Sequence, residues 1–388
     1  MRDGYKIFDA DTHIRPSAES LRPFLSQKLL DAIPDLEEHR VPIKVGMAGE
    51  VREEPYRHWY RFRRPGGTGW GSAPPRRLGE AAHKEGDERD FQTFMGSRFP
   101  THGGGDFAPE LRLKDMDEEG TDCHFIVHTG GAGHPDPELE MEFIRAEHRY
   151  LDHFCSAAPH RLKSCLTVTP VHIEASVEEI HAWGSSPWAV AVHPKLPLDY
   201  PLDHPDLNPI WAAAQEHNMA VIHHSFAAGY PGYRDLWDNP FMGRLAGHPW
   251  NAMRAVAAVF GSGMLDRFPY IRYGILESGF GWLPFWARRM DDQAVYMGYV
   301  AENLEYKLSE YMTGGRFFAA TVLHEGESMV KMVTDDLGDH VLMFGSDYPH
   351  SESRFPESAG IPVGWHSLSD EQRRKLLWDN PVSFFGEP

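Results

Sequence analysis

Acids and imidazoles stand at the ends of apolar runs along this chain of 388 residues. The opening stretch Phe8-Asp9-Ala10-Asp11-Thr12-His13 follows Lys6-Ile7 and reads as the end of a buried strand. Side chains alternate along a strand, so Asp9, Asp11 and His13 are expected on one face, with Ala10 and Thr12 on the other. Three later runs finish in the same kinds of residue: Val221-Ile222-His223-His224, Gly274-Ile275-Leu276-Glu277 and Val341-Leu342-Met343-Phe344-Gly345-Ser346-Asp347. Carboxylate and imidazole donors suit Zn, Mn or Fe. The chemistry to look for is therefore that of a bound cation.

Each candidate has its own argument. Glu277 follows a fully apolar run, where a buried carboxylate without a cation would be costly. Asp347 could bind metal or act as a base. His193, in Val192-His193-Pro194-Lys195, could be a ligand or bond nearby backbone. His223 and His224 are adjacent and must point opposite ways, so one is expected as a ligand and the other as a substrate-side group. His350 lies one turn beyond Asp347. Asp9 is expected to order the first loop or a ligand histidine rather than to bind metal. His128, His134 and His248 are pocket candidates with structural roles expected. No Walker loop, dinucleotide fingerprint or nucleophile elbow stands in a proper setting. Gly103-Gly104-Gly105 reads as a loop tip.

Elements must bring these residues together. A short helix is expected within residues 17–35. Helices are then expected at Pro109–Glu119, Leu139–Ala157, Glu174–Trp183, Pro209–His217, Asn251–Phe260, Trp282–Met297 and Gly326–Leu337, with a closing helix from Asp370 to Leu377. Strands are expected at Cys123–Val127, Leu162–Val168, Ala189–His193, Met219–His223, Ile271–Leu276, Arg316–Val322 and His340–Phe344. With the first strand this makes an α/β alternation of the (β/α)8 TIM-barrel kind. An open doubly wound sheet would not bring so many strand ends to one mouth.

The expected arrangement is a single domain over 1–388, with a long insertion at 36–105 after strand 1 and a second excursion at 225–250 after strand 5. Trp59, Tyr60, Phe62, Trp70, Phe91, Phe94 and Phe99 make the insertion a candidate lid over an apolar substrate, or a packing or oligomer surface.

Composition limits the partners. The formal charge of −19 argues against nucleic acid. No run approaches the ~20 apolar residues of a membrane span, and the N-terminus lacks a signal-peptide pattern. Cys123, Cys155 and Cys165 read as reduced core residues of a cytoplasmic protein.

The motif Phe8-Asp9-Ala10-Asp11-Thr12-His13 resembles the opening of the amidohydrolase-related proteins. The run from Ile275-Leu276-Glu277-Ser278-Gly279 to Arg289-Met290-Asp291, the segment Phe344-Gly345-Ser346-Asp347-Tyr348-Pro349-His350 and the closing Leu376-Leu377-Trp378-Asp379-Asn380-Pro381 are similar too. That family comprises TIM-barrel hydrolases and non-oxidative decarboxylases. Its usual ligands are His-x-His on strand one, a His on each of strands five and six, and an Asp on strand eight. Here Asp11 replaces the first His and Glu277 the strand-six His. That departure resembles a carboxylate-substituted branch of non-haem diiron monooxygenases.

The resemblance implies a metal set of Asp11, His13, His193, His223, Glu277 and Asp347, with His224 and His350 catalytic. It implies two Fe ions, dioxygen, an electron donor and an apolar, CoA-linked substrate. The alternative is one Zn or Mn and a hydrolase or non-oxidative decarboxylase. A homo-oligomer is a further expectation.

Overall fold

In this computed structural model, the described residues are 1–47, 50–62, 95–98, 100, 108–128, 131–197, 200–224, 240–301 and 303–388. Trp70, Phe91, Phe94, Phe99, the Gly103–Gly105 tip and residues 225–239 of the second excursion lie outside them.

Eight parallel strands form the sheet: β1 (Phe8–His13), β4 (Cys123–Val127), β5 (Leu162–Val168), β6 (Ala189–Pro194), β7 (Ala220–His224), β8 (Tyr273–Leu276), β9 (Phe317–Ala320) and β10 (Leu342–Met343), with neighbours in that order. Between β1 and β4 lies a separate antiparallel hairpin, β2 (Arg40–Met47) and β3 (Glu50–Tyr60). The ring closes just past β10. The Ala10 N–H donates to Phe344 O at 2.8 Å, and the Asp347 N–H donates to Asp11 O at 2.9 Å. Helices lie between the strands, so the expected TIM barrel is the architecture found.

Two apolar layers hold it together. One fills the space between strands and helices, with Trp188, Trp211, Phe260 and Phe317 buried. The other fills the lumen, where Phe8, Ala10, Phe125, Ala220, Ile222 and Phe318 meet Phe384 and Phe385. The last two come from the C-terminal helix Asn380–Phe385 and plug the end of the barrel where the strands begin. Gly274 is required there, because a Cβ would stand 2.4 Å from the Phe384 ring. The Asn380 side chain donates to the carbonyls of Asp339 (2.7 Å) and Leu342 (2.8 Å), fastening the plug to β10.

Several elements differ from expectation. The insertion holds a hairpin within 40–60, with Tyr60 buried. The region 17–35 holds two short helices, Ala18–Leu21 and Gln27–Ala32, capped by Ser17 and Ser26. The helix expected from Asn251 runs Pro240–Gly261, straight through Pro249. The closing helix is Asp370–Arg374, followed by a wider turn at Lys375–Asp379. The three cysteines are free and buried.

Candidate metal centre

The site is assembled at the mouth, where parallel strands deliver their last residues. β1 contributes through an irregularity. Asp9 pairs with His124 and Thr12 with Ile126, so β1 carries one residue more than its neighbour between these points. An extra residue reverses the alternation beyond it. Phe8 and Ala10 face the lumen, and Asp11 and His13 still turn to the mouth, while Asp9 does not share their face. The expected common face for all three is thus corrected. Asp9 accepts instead from the Asp11 N–H (3.2 Å) and the Ser346 N–H (3.0 Å), tying β1 to the segment after β10. Burial holds its carboxyl well above the usual range, against the lowering effect of Ser346.

β7 decides between the adjacent histidines. Ala220 and Ile222 face the lumen, so period-two alternation sends His224 inward and His223 away. The His224 Nε2 lies 3.2 Å from Glu277 Oε2 and 3.4 Å from Asp11 Oδ1. His223 is not among the converging donors; burial, with His193 and His224 nearby, pushes its imidazole down to about 3. The expected roles of the two residues are therefore exchanged in position. His193 turns toward the mouth, its ring centroid 6.1 Å from that of His224, but stays outside the donor cluster.

Glu277 and Asp347 follow β8 and β10 in the left-handed backbone region, with φ of 47° and 62°. Non-glycine residues there are uncommon and concentrate at functional sites. The His13 Nε2 lies 3.0 Å from Asp347 Oδ1, 3.4 Å from Asp11 Oδ1 and 3.9 Å from Glu277 Oε2. The His350 Nδ1 meets Asp347 Oδ1 at 2.7 Å, and its ring stacks on His13 at 4.2 Å. The donors fall into two groups that share His13: Asp11, His13 and His224, and then His13, Glu277, Asp347 and His350.

The charges are those of a site arranged around a cation. Burial would raise Asp11, but His13 and His224 outweigh it and hold its carboxyl below the usual range. Asp347 is lowered in the same way, with His350 and His13 outweighing burial. Burial would lower His13, but Asp11 and Asp347 hold its imidazole well above the ordinary value. Glu277 is pushed up to about 7 by burial and by Asp347. Protons on His13 and His224 thus supply positive charge to three carboxylates. Asp11 Oδ1, His13 Nε2 and Asp347 Oδ2 are buried and lack an aligned hydrogen bond. Such atoms need a partner, and a divalent ion fits both the donor set and the charge.

Sequence reasoning missed one contributor and expected only a structural role for a second, His248. Arg112, fully buried in Pro109–Glu119, donates to Thr12 Oγ1 at 3.2 Å and to the His13 carbonyl, and lies over the Tyr348 ring. It braces β1 against the segment carrying Asp347, and only its place in a helix otherwise rich in acids hinted at that. His248 brings its Nδ1 to 3.8 Å from Glu277 Oε1, from a helical turn that Pro249 disguised. His134 is remote from this cluster, bonding its own loop at Asp136 N.

Fold and site together define a metal-binding barrel. The chain belongs to the amidohydrolase family, whose model matches residues 11–386. It is similar to an amidohydrolase from Mycobacterium avium subsp. paratuberculosis, at 17% identity over 99% of this chain and 100% of that one, with a TM-score of 0.71. A manganese-bound 5-carboxyvanillate decarboxylase from Novosphingobium aromaticivorans matches at 15% identity over 99% and 98%, with a TM-score of 0.63. A 2,6-dihydroxybenzoate decarboxylase from Rhizobium matches at 16% over 71% and 87%, with a TM-score of 0.60. At these identities the likeness concerns the fold. Among the described residues, no helix is long and apolar enough to cross a membrane.

Proposed function

We propose that the protein is a metal-dependent, non-oxidative decarboxylase or hydrolase working with one Mn or Zn ion. The observation that carries this is the convergence of Asp11, His13, His224, Glu277 and Asp347, among which Asp11 Oδ1, His13 Nε2 and Asp347 Oδ2 are buried without aligned hydrogen bonds. The decarboxylases among the similar structures, several of them holding manganese, favour decarboxylation of a carboxylated aromatic acid over hydrolysis. Asp11, His13, His224 and Asp347 would hold the ion, and Glu277 would complete or balance the set. The bound cation would act as a Lewis acid toward a substrate oxygen.

The chain's own groups do the rest. His350, oriented by Asp347 through Nδ1, keeps its other ring nitrogen for proton delivery at the rim. In a decarboxylation the C–C bond breaks with its electron pair left on carbon, and that proton takes the place of carbon dioxide. His193 and the 36–105 insertion would orient substrate and exclude water. The test is manganese- or zinc-dependent carbon dioxide release from hydroxybenzoate carboxylates without dioxygen. Absence of turnover across that substrate class, with metal bound, would reject decarboxylation.

A second reading rests on the two overlapping donor groups and their three carboxylates, which could neutralise two divalent ions. It is a non-haem diiron monooxygenase using dioxygen and an electron donor on an apolar, CoA-linked substrate. Two irons per chain and dioxygen consumption coupled to substrate would select it.

A further inference from the structure

Immediately beyond His13, the chain enters a small cavity lined by Ile14, Arg15, Trp59, His128 and Glu147. It lies on the metal-bearing face of the barrel. His13 pairs in register with Val127, so Arg15 and His128 leave neighbouring strands at the same level.

The polar groups here are poorly matched. The Arg15 guanidinium lies over the Trp59 ring, 3.7 Å from its centroid. The Arg61 guanidinium approaches the same ring, at 5.5 Å. Both arginines are exposed. Among the described residues neither has an ion pair with a carboxylate. Glu147 lines the cavity, but its Oε2 accepts from the Gly131 N–H. Lys195 is already paired with Glu140 at 2.6 Å. His128 is 1% exposed, and neither of its ring nitrogens has a hydrogen-bond partner. The buried Trp59 Nε1–H also lacks one.

Two like charges on one indole repel each other in the free protein, and the Glu147 carboxylate in the same cavity offsets this at Arg15 without forming an ion pair with it. A buried imidazole and a buried indole N–H without partners are costly as well. One ligand relieves all of these: an anionic oxygen group, which guanidinium groups bind in a forked geometry. In a chain of charge −19, such a local positive patch is also what an anionic substrate needs in order to approach.

We propose that Arg15 and Arg61, stacked on Trp59 above His128, form a recognition subsite for an anionic group of the substrate, separate from the group that reacts at the metal. The inference rests on the reading of the mouth as a metal-dependent active site and narrows its substrate to a molecule bearing a carboxylate or phosphate remote from the reacting centre. Arg15 and Arg61 contact that group, while Trp59 holds the two guanidinium planes in place.

The experiment compares benzoate, phenyl phosphate and the neutral benzamide. Their dissociation constants are measured by calorimetry on wild type, Arg15→Gln, Arg61→Gln and the double variant, both manganese-loaded and chelator-stripped. At least one anion should bind about tenfold or more tighter than benzamide to stripped wild type. That preference should fall severalfold in each single variant and vanish in the double variant. A carboxylate preference would assign a polycarboxylate substrate, and a phosphate preference a phosphorylated or nucleotide-linked one. Equal binding of all three probes, or a preference that survives in the double variant, would overturn the subsite. The stripped arm keeps this result separate from the metal reading, which would fail instead if wild type took up no manganese. Thermal unfolding of each variant shows that it is folded before its binding is compared.

Discussion

The two ends of the barrel lumen are built from the same strands and could hardly differ more. At the closed end Phe8, Phe125, Phe384 and Phe385 fill the space, with the rings of Phe125 and Phe385 stacked at 4.0 Å. At the mouth the same strands end in Asp11, His13, His224, Glu277 and Asp347, which are buried yet in part without aligned hydrogen bonds. β1 serves both ends, giving Phe8 to the plug and His13 to the mouth. Stability is thus concentrated where the strands begin, and unmet binding capacity where they finish.

That contrast can be broken in order of expected size. Phe385→Ala should lose about 3–5 kcal/mol of unfolding free energy by opening a cavity in the plug. Manganese affinity of the folded fraction should hardly change, as denaturant titration and metal calorimetry would show. Equal losses in both would mean that the ends are not separable.

Glu277→Gln should do the reverse. Metal affinity should fall roughly 100- to 1000-fold, or about 3–4 kcal/mol. The metal-free protein should keep its unfolding midpoint, because a carboxylate disfavoured by burial and by Asp347 has been removed. Asp9→Ala, which removes the acceptor for Asp11 N–H and Ser346 N–H, should cost 10- to 100-fold in metal affinity without removing a donor. Metal titrations of that variant would separate an orienting role for Asp9 from none.

The smallest effect is on pH dependence. Glu277 is raised to about 7, so its contribution to stability is present at low pH and is lost as pH rises from its ordinary value toward 7. His13 is raised well above 6.5, so its contribution is present below that value and is lost above its folded-state pKa. The metal-free protein should therefore lose stability from these groups as pH rises through neutrality. Manganese should bind more tightly over the same range, as protons leave His13 and His224. Unfolding curves with and without manganese should diverge with rising pH, and parallel curves would contradict the site.

Much of the barrel was legible because its strands are apolar runs separated by amphipathic helices. The register of β1 was not. Alternation predicts one face for Asp9, Asp11 and His13, but the extra residue before Thr12 depends on the neighbouring strand, which a local pattern does not contain. The choice between His223 and His224 could have been read from Ala220 and Ile222, whose small and apolar side chains suit the lumen. Helix Pro240–Gly261 begins well before its expected start at Asn251, and Pro249, a residue that ordinarily breaks helices, lies inside it. The hairpin at 40–60 was hidden because its strands mix charges with apolar residues, and Tyr60 is buried through contacts with Phe143 and the rest of the core. Arg112 was invisible for a related reason: its partners Thr12 and His13 are about a hundred positions away.

The left-handed backbone at Glu277 and Asp347 also restricts how this centre can diversify. Residues branched at Cβ are sterically unsuited to that conformation, while Asp, Asn, His and Gly tolerate it best. Drift at these two positions is thereby channelled into a small alphabet, most of which can still ligate a metal. Glu277→His is one exchange that the backbone admits while keeping a donor in place. A descendant of this protein could thus change its metal preference by a single substitution without refolding the turn that carries it.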